Sequence, residues 1–348
     1  SDSGKAEGVK VAHTFNKPGK FEVSLTVYDD SGDLSAFDVD TIFVKVNSAP
    51  RAIAGFDLIA APMEEVVLNA TESKDTDGKI VKYDWYLSNG EKFYNKQIVR
   101  KKFKEPAIIK ATLVVTDNSG AENSVSKDEL LIKINHPPIA NAGKNLITYE
   151  RTLLFDGSES TDLDNDLLNY FWNFGDGSSI ERGKILYHTY KKGGIYSVNL
   201  TVDDGQNLFN SRAISSIKVK INEPPVAKGK VGNELSTGKP VLFDGSNSRD
   251  PEGGVLKFQW LFHNGTSSNL MNPSKTYDKG GNYPVTLIVV DDSGLDKTNR
   301  SEERLVVKVG DSPVAVAGED KTSCIGAPVS FDGSKSKVTD GSVNYYNW

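Results

Sequence analysis

The sequence has a single cysteine, Cys324, so no intrachain disulfide and no thiolate cluster for zinc or iron–sulfur can form within it. Its apolar runs are only a few residues long, too short to span a bilayer. Neither end carries a signal-peptide or lipidation pattern, and both ends read as cuts in a longer protein. No long stretch carries an apolar stripe at helical spacing. Positive charge is not in excess either: 41 Lys and Arg face 47 Asp and Glu, a net charge of −6. That balance argues against a nucleic-acid backbone as the main partner, because such binding is largely cation-driven. What is present, 37% hydrophobic and 25% charged residues in 348, suffices to build cores and suits several domains.

The chain repeats itself. Trp85, Trp172, Trp260 and Trp348 are 87, 88 and 88 residues apart. Pro50, Pro138, Pro225 and Pro313 keep the same beat, as do Leu25, Leu113, Leu200 and Leu287, and Phe15, Phe103, Tyr190 and Tyr277. Solenoid units run to roughly 20–50 residues, so this longer period suits a string of small domains, each burying its own core. Inside one period the pattern is strand after strand. Ile195–Val202 alternates apolar and polar residues, and Phe21–Tyr28, Ile109–Thr116 and Tyr283–Val290 are its counterparts. Leu153–Phe155, Leu168–Trp172 and Ile214–Ile221 add further strands closed by turn residues. About seven short strands with a tryptophan near the middle predict an immunoglobulin-like sandwich without its disulfide.

Phe155-Asp-Gly-Ser-Glu-Ser-Thr-Asp-Leu-Asp164, Tyr170-Phe-Trp-Asn-Phe-Gly-Asp-Gly177, His188-Thr-Tyr190, Gly194-Ile-Tyr196 and Val198-Asn-Leu-Thr-Val-Asp-Asp204 together resemble a polycystic kidney disease (PKD) domain. The repeat from Pro225 matches nearly as well, with Trp260-Leu-Phe-His-Asn-Gly265 in place of the Gly-Asp-Gly turn, and the repeat from Pro50 is the most divergent. The expected architecture is therefore all-β: tandem immunoglobulin-like (PKD-type) β-sandwiches in an extended rod. Its divisions are a second half-domain at 1–49, whole domains at 50–137, 138–224 and 225–312, and a first half-domain at 313–348. In the opening half, Ser1-Asp2-Ser3 stands where the best-matched repeat has Gly-Asp-Gly. Truncation of a longer array explains the two halves; the alternative is that the closing half of one molecule completes the opening half of the next in a head-to-tail filament.

The resemblance implies an extracellular spacer or adhesion module without catalysis. The principal reading is a non-catalytic stalk at a cell surface or in a filament. Its partners would be a protein or polysaccharide there or neighbouring copies of the chain, with no nucleic acid and no membrane insertion in this segment. The alternative is a set of accessory, substrate-holding modules of a secreted polysaccharide- or protein-degrading enzyme. Linkers such as Asn135-His-Pro-Pro138 and Asn222-Glu-Pro-Pro225 favour the stalk, since proline restricts itself and its predecessor to extended geometry.

Acidic loops at one pole are the candidate chemistry. In such a sandwich the B–C and F–G loops lie beside the incoming linker. Those places hold Asn135, Asp162, Asp164, Asp166, Asp203 and Asp204 in the best-matched repeat. The next repeat has Asn222, Asp250, Glu252, Asp291 and Asp292, and the divergent one Asn47, Asp75, Asp77 and Asp117. Ca²⁺ takes six to eight oxygens at about 2.3–2.6 Å from flexible loops, and some members of the resembled family bind it in this region. Alternating Ser and Asp also make the Asx and Ser/Thr turns by which tight loops bond their own backbone. Both readings fit these residues. The closing half has Lys337-Val-Thr-Asp340, without the paired acid.

Other features have plainer readings. The tryptophans are expected in cores, and Tyr170 and Tyr345 flank them without forming an aromatic row. His13 and His188 occupy equivalent positions and read as one packing feature used twice. Arg100-Lys-Lys-Phe-Lys104 reads as a solvated strand face around Phe103, and Gly232 to Lys239 lacks the spacing of a phosphate loop. Asn69, Asn199 and Asn264 head glycosylation sequons at about chance frequency, and Cys324 is an unpaired thiol in a turn. No nucleophile elbow or other catalytic constellation is present.

Overall fold

The computed structural model describes residues 4–31, 33, 36–338 and 342–348. The Ser1-Asp2-Ser3 segment and Asp340 lie outside the described residues. The described chain is strand and loop, with no helix among those residues, and no helix long and apolar enough to cross a membrane. It divides into two compact units, 1–139 with 160–169 and 202–213, and 140–159 with 170–201 and 214–348.

The first unit opens with an antiparallel hairpin of β1 (Gly19–Tyr28) and β2 (Phe37–Val46). There follow β3 (Leu58–Ala60), β4 (Glu65–Asn69), β5 (Ile80–Leu87), β6 (Lys92–Phe93), β7 (Ile98–Lys102), β8 (Ala107–Asp117) and β9 (Val125–Ile134). These seven strands form two sheets, β3-β9-β8-β5-β6 and β4-β7. β3 runs parallel to β9 and the other pairings are antiparallel. β8 shows why: Ile109, Ala111, Leu113 and Val115 alternate into the core with Trp85, Leu68, Val66 and Ile132. The Trp85 indole N–H donates to Lys96 O at 3.1 Å, so its polar edge is satisfied where the ring is buried.

After β9 the arrangement recurs. The next strands are β10 (Leu146–Thr148), β11 (Thr152–Asp156), β12 (Asn169–Asn173), β13 (Glu181–Arg182), β14 (Ile185–Thr189), β15 (Gly194–Asp203) and β16 (Arg212–Ile221). Then come β17 (Lys230–Val231), β18 (Pro240–Asp244), β19 (Lys257–Phe262), β20 (Ser267–Ser268), β21 (Ser274–Thr276), β22 (Gly281–Val290) and β23 (Arg300–Val309). Sheets ordered β10-β16-β15-β12-β13 and β20-β19-β22-β23 correspond to the large sheet of the first unit, and β11-β14 and β17-β18-β21 to its small one. Trp172 and Trp260 are fully buried, and their indole N–H groups donate to Gly183 O at 3.0 Å and Met271 O at 3.2 Å. Phe155 and Phe174 pack on Trp172, and His188 stacks on Phe174 at 3.8 Å between centroids. The turns after the tryptophan strands end on Gly90, Gly177 and Gly265, all at positive φ of 76–92°, a backbone region that favours glycine.

Two positions depart from the periodic expectation. Leu113, Leu200 and Leu287 are fully buried but Leu25 is 61% exposed, and Trp348 is 64% exposed where the other tryptophans are buried. Sequence places these residues on the same beat; burial depends on an opposing small sheet, and among the described residues β1 and β2 pair only with each other.

Candidate functional site

The inward alternation that builds each core also delivers an acid to its pole. On β8 the buried series Leu113, Val115 continues to Asp117; on β15 Leu200 and Val202 lead to Asp204 just past the strand, and on β22 Leu287 and Val289 lead to Asp291. Each acid is buried and meets the asparagine of the linker that enters its repeat. Asn47 Nδ2 donates to Asp117 Oδ2 at 2.8 Å, Asn135 Nδ2 to Asp204 Oδ2 at 2.8 Å and Asn222 Nδ2 to Asp291 Oδ2 at 3.1 Å. The B–C loop supplies a second tie in each joint. Asp77 Oδ1 accepts from Ser48 N at 3.2 Å, Asp164 Oδ2 from His136 N at 2.9 Å and Glu252 Oε2 from Glu223 N at 2.9 Å. Every joint thus holds its linker from two loops of the following repeat.

The remaining expected residues take separate places. Asp75, Asp162 and Asp250 use Oδ1 to accept from the N–H two residues on, the turn-forming role expected of such loops. Asp166 is ion-paired with Lys133 at 2.8 Å, and Asp292 lies 3.5 Å from Lys220. Asp203 departs from the expectation: its carboxylate takes Arg212 Nε at 2.6 Å and the Gly205 N–H, so it belongs to the F–G hairpin.

Electrostatics follow these contacts. Burial raises the Asp117 pKa, but hydrogen bonds from Ser119 and Asn47 outweigh it and hold the group below the ordinary aspartate value. Burial also raises Asp164, and the His136 N–H and ring, with Lys133, bring it below that value. Glu252 is raised by burial and by the neighbouring Asp250 and Glu223 charges. Glu223 is lowered by the Gly193 N–H and by Arg151, which reaches it at 2.7 Å.

Several buried oxygens of the joints have no protein partner: Asp75 Oδ2 and Asp77 Oδ2 in the first, Asn135 Oδ1, Asp162 Oδ2 and Asn210 Oδ1 in the second, and Asn222 Oδ1 in the third. Carboxylate oxygens of Asp162, Asp164 and Asp166 also lie within 4.8 Å of one another. Orphaned buried acceptors are costly, and an all-oxygen set gathered on loops is the donor chemistry of a hard cation. The residues present therefore fit Ca²⁺, most openly in the first two joints.

Sequence reading missed Lys133, His136, Asn210 and Thr298 as joint residues. Asn210 Nδ2 donates to Asn135 O at 2.9 Å, and Thr298 O accepts from Asn222 Nδ2 at 3.1 Å. The lysine had a legible signal, since Lys45, Lys133, Lys220 and Lys308 are 88, 87 and 88 residues apart.

A family model for the PKD domain matches residues 1–44, 47–132, 135–219 and 222–307. Over 330 residues the chain is 26% identical to the dyslexia-associated protein KIAA0319 of Homo sapiens, covering 86% of this chain and 30% of that protein. Collagenase ColA of Clostridium perfringens is 29% identical over 147 residues, 40% of this chain and 13% of the collagenase. The PKD1 domain of the Vibrio cholerae metalloprotease PrtV aligns at 32% identity with a TM-score of 0.21, covering 25% of this chain and 96% of that domain. The chain spans under a third of the length of these curated relatives.

Proposed function

The chain belongs to the PKD domain family over most of its length, and from that premise we propose that it is a non-catalytic extracellular stalk whose joints are closed by Ca²⁺. The observation that carries this reading is the thrice-repeated tie of a linker asparagine to an F–G acid and of a linker N–H to a B–C acid. Short proline-bearing linkers bound on two sides resist bending, and resistance to bending is what a spacer supplies. Asn47, Asp75, Asp77 and Asp117 would hold one ion, and Asn135, Asp162, Asp164, Asp166 and Asp204 another. Asn222, Asp250, Glu252 and Asp291 offer a third set with fewer free oxygens. The ion would satisfy the orphaned oxygens and neutralise the clustered carboxylates. Its partners in this reading are proteins or polysaccharides at a cell surface.

A second reading, accessory modules of a secreted hydrolase, is favoured by the likeness to segments of a collagenase and a metalloprotease. Retention of the chain by insoluble collagen or polysaccharide would support it.

Thermal melting in millimolar CaCl₂ and in chelator, with small-angle scattering, tests the principal reading. At a hundredfold excess over the dissociation constant a bound ion adds about 2.7 kcal/mol. Melting should rise with calcium and lose the second joint's share of that rise in Asp162→Asn with Asp164→Asn, and the maximum dimension should exceed about 100 Å for sandwiches set end to end. Identical melting curves would overturn the calcium joints, and a compact particle would overturn the stalk.

A further inference from the structure

In the second joint the acids are already bridged by a cation that belongs to the chain. Lys133, near the end of β9 on the face opposite Ile132 and Ile134, extends its ammonium to Asp166 Oδ2 at 2.8 Å and Oδ1 at 3.0 Å, with Asp164 Oδ2 at 3.5 Å. These are two of the three carboxylates that stand within 4.8 Å of one another. The third, Asp162, keeps a buried oxygen without a partner, as do Asn135, which is fully buried, and Asn210 beside it.

The other joints differ. In the first, Asp75 and Asp77 each retain an orphaned oxygen, and Lys79 stands at the position that Asp166 takes in the second. In the third, Lys220 reaches only to 3.5 Å from Asp292, while both oxygens of Asp250 are bound by the Glu252 and Gly254 N–H groups.

We propose that Lys133 is a resident counter-ion that competes with Ca²⁺ for the second joint. The inference rests on the reading of the joints as calcium sites. Without the divalent ion, the ammonium holds Asp164 and Asp166 together and keeps the joint closed. With it, Asp162 and the asparagine oxygens complete a shell that also takes those two carboxylates, and the lysine withdraws. Its four-carbon stem and strongly hydrated ammonium suit it to leave, its side chain being 21% exposed. The second joint is then buffered by Lys133 bridging two of its acids. In the first, the equivalent Lys45 acts on Asp117 and leaves the Asp75 and Asp77 oxygens orphaned, so the joints respond differently to one calcium concentration.

Calorimetric titration of CaCl₂ into the full chain, with parallel melting, tests this in the wild type, Lys133→Gln and Lys133→Arg. Removing a unit charge next to the site should tighten one class of sites by about tenfold in Lys133→Gln, while Lys133→Arg stays near the wild type. Adding Asp162→Asn and Asp164→Asn should abolish the tightened class and no other. In chelator Lys133→Gln should melt below the wild type, and excess CaCl₂ should erase the difference. Calcium binding by the wild type with every class unchanged in Lys133→Gln, and an equal melting loss in chelator and CaCl₂, would overturn the lysine's role and leave the calcium joints standing. No binding to any variant would overturn both. Binding at this joint by Lys133→Gln alone would support the competition and remove calcium from the wild-type second joint.

Discussion

Asn135 and Asp204 lie 69 residues apart in sequence and meet at 2.8 Å through Nδ2 and Oδ2, with both side chains buried. One belongs to a linker and the other to the F–G loop of the repeat that the linker enters. The Asn135 N–H donates to Ala60 O at 2.9 Å, so the same residue is anchored to the preceding repeat through its backbone.

Asn135→Ala should destabilise this joint by about 1–3 kcal/mol, because Asp204 Oδ2 loses its buried donor. Asn135→Asp should be worse in chelator, with a second carboxylate against Asp204, and should recover in calcium. Melting curves and limited proteolysis at the linker read both effects. A calcium-independent loss in Asn135→Asp would contradict the cation site.

The Asp176 carboxylate is held at about 2 rather than 3.8. Burial raises it, and the Ser178 hydroxyl and N–H together with His188 Nε2 at 2.9 Å outweigh that. A depressed aspartate stabilises the fold fully above its unfolded value near 3.8 and loses that contribution as pH falls through about 2. Asp176→Asn should therefore cost about 1–2 kcal/mol at neutral pH. Melting of the two proteins from pH 7 downward should show a constant gap above about pH 5 that closes toward pH 2.

Leu200 and Leu25 share a beat in the sequence but not an environment, the first fully buried and the second 61% exposed. Leu200→Ala should cost about 2–5 kcal/mol by denaturant unfolding. Leu25→Ala should change stability by less than about 0.5 kcal/mol. Equal costs would show that the β1–β2 hairpin has its apolar face covered in solution.

Strand placement was legible because it is local. Ile195–Val202 alternates as a half-buried strand must, and β15 spans it as Gly194–Asp203. The buried tryptophans follow from the same patterning. The acids of the joints were legible as a group, since Asp162, Asp164 and Asp166 recur at alternate positions of a short loop. Their individual roles were not. Nothing in the order of residues distinguishes Asp203, paired with Arg212, from Asp204, paired with Asn135 across the joint. Strand alternation sends the two to opposite faces, and the partner waiting on each face comes from a distant segment.

By itself the sequence determined the repeat, the all-β character, the family resemblance and the inward face of each strand, because apolar periodicity acts over a few residues and is copied in every unit. Only the tertiary structure decided which carboxylate meets an asparagine, which meets an arginine and which is held by Lys133. Those choices depend on hydrogen-bond distances of about 3 Å between loops separated by tens of residues, and such a closure is set by how whole sheets stack and twist rather than by any local pattern.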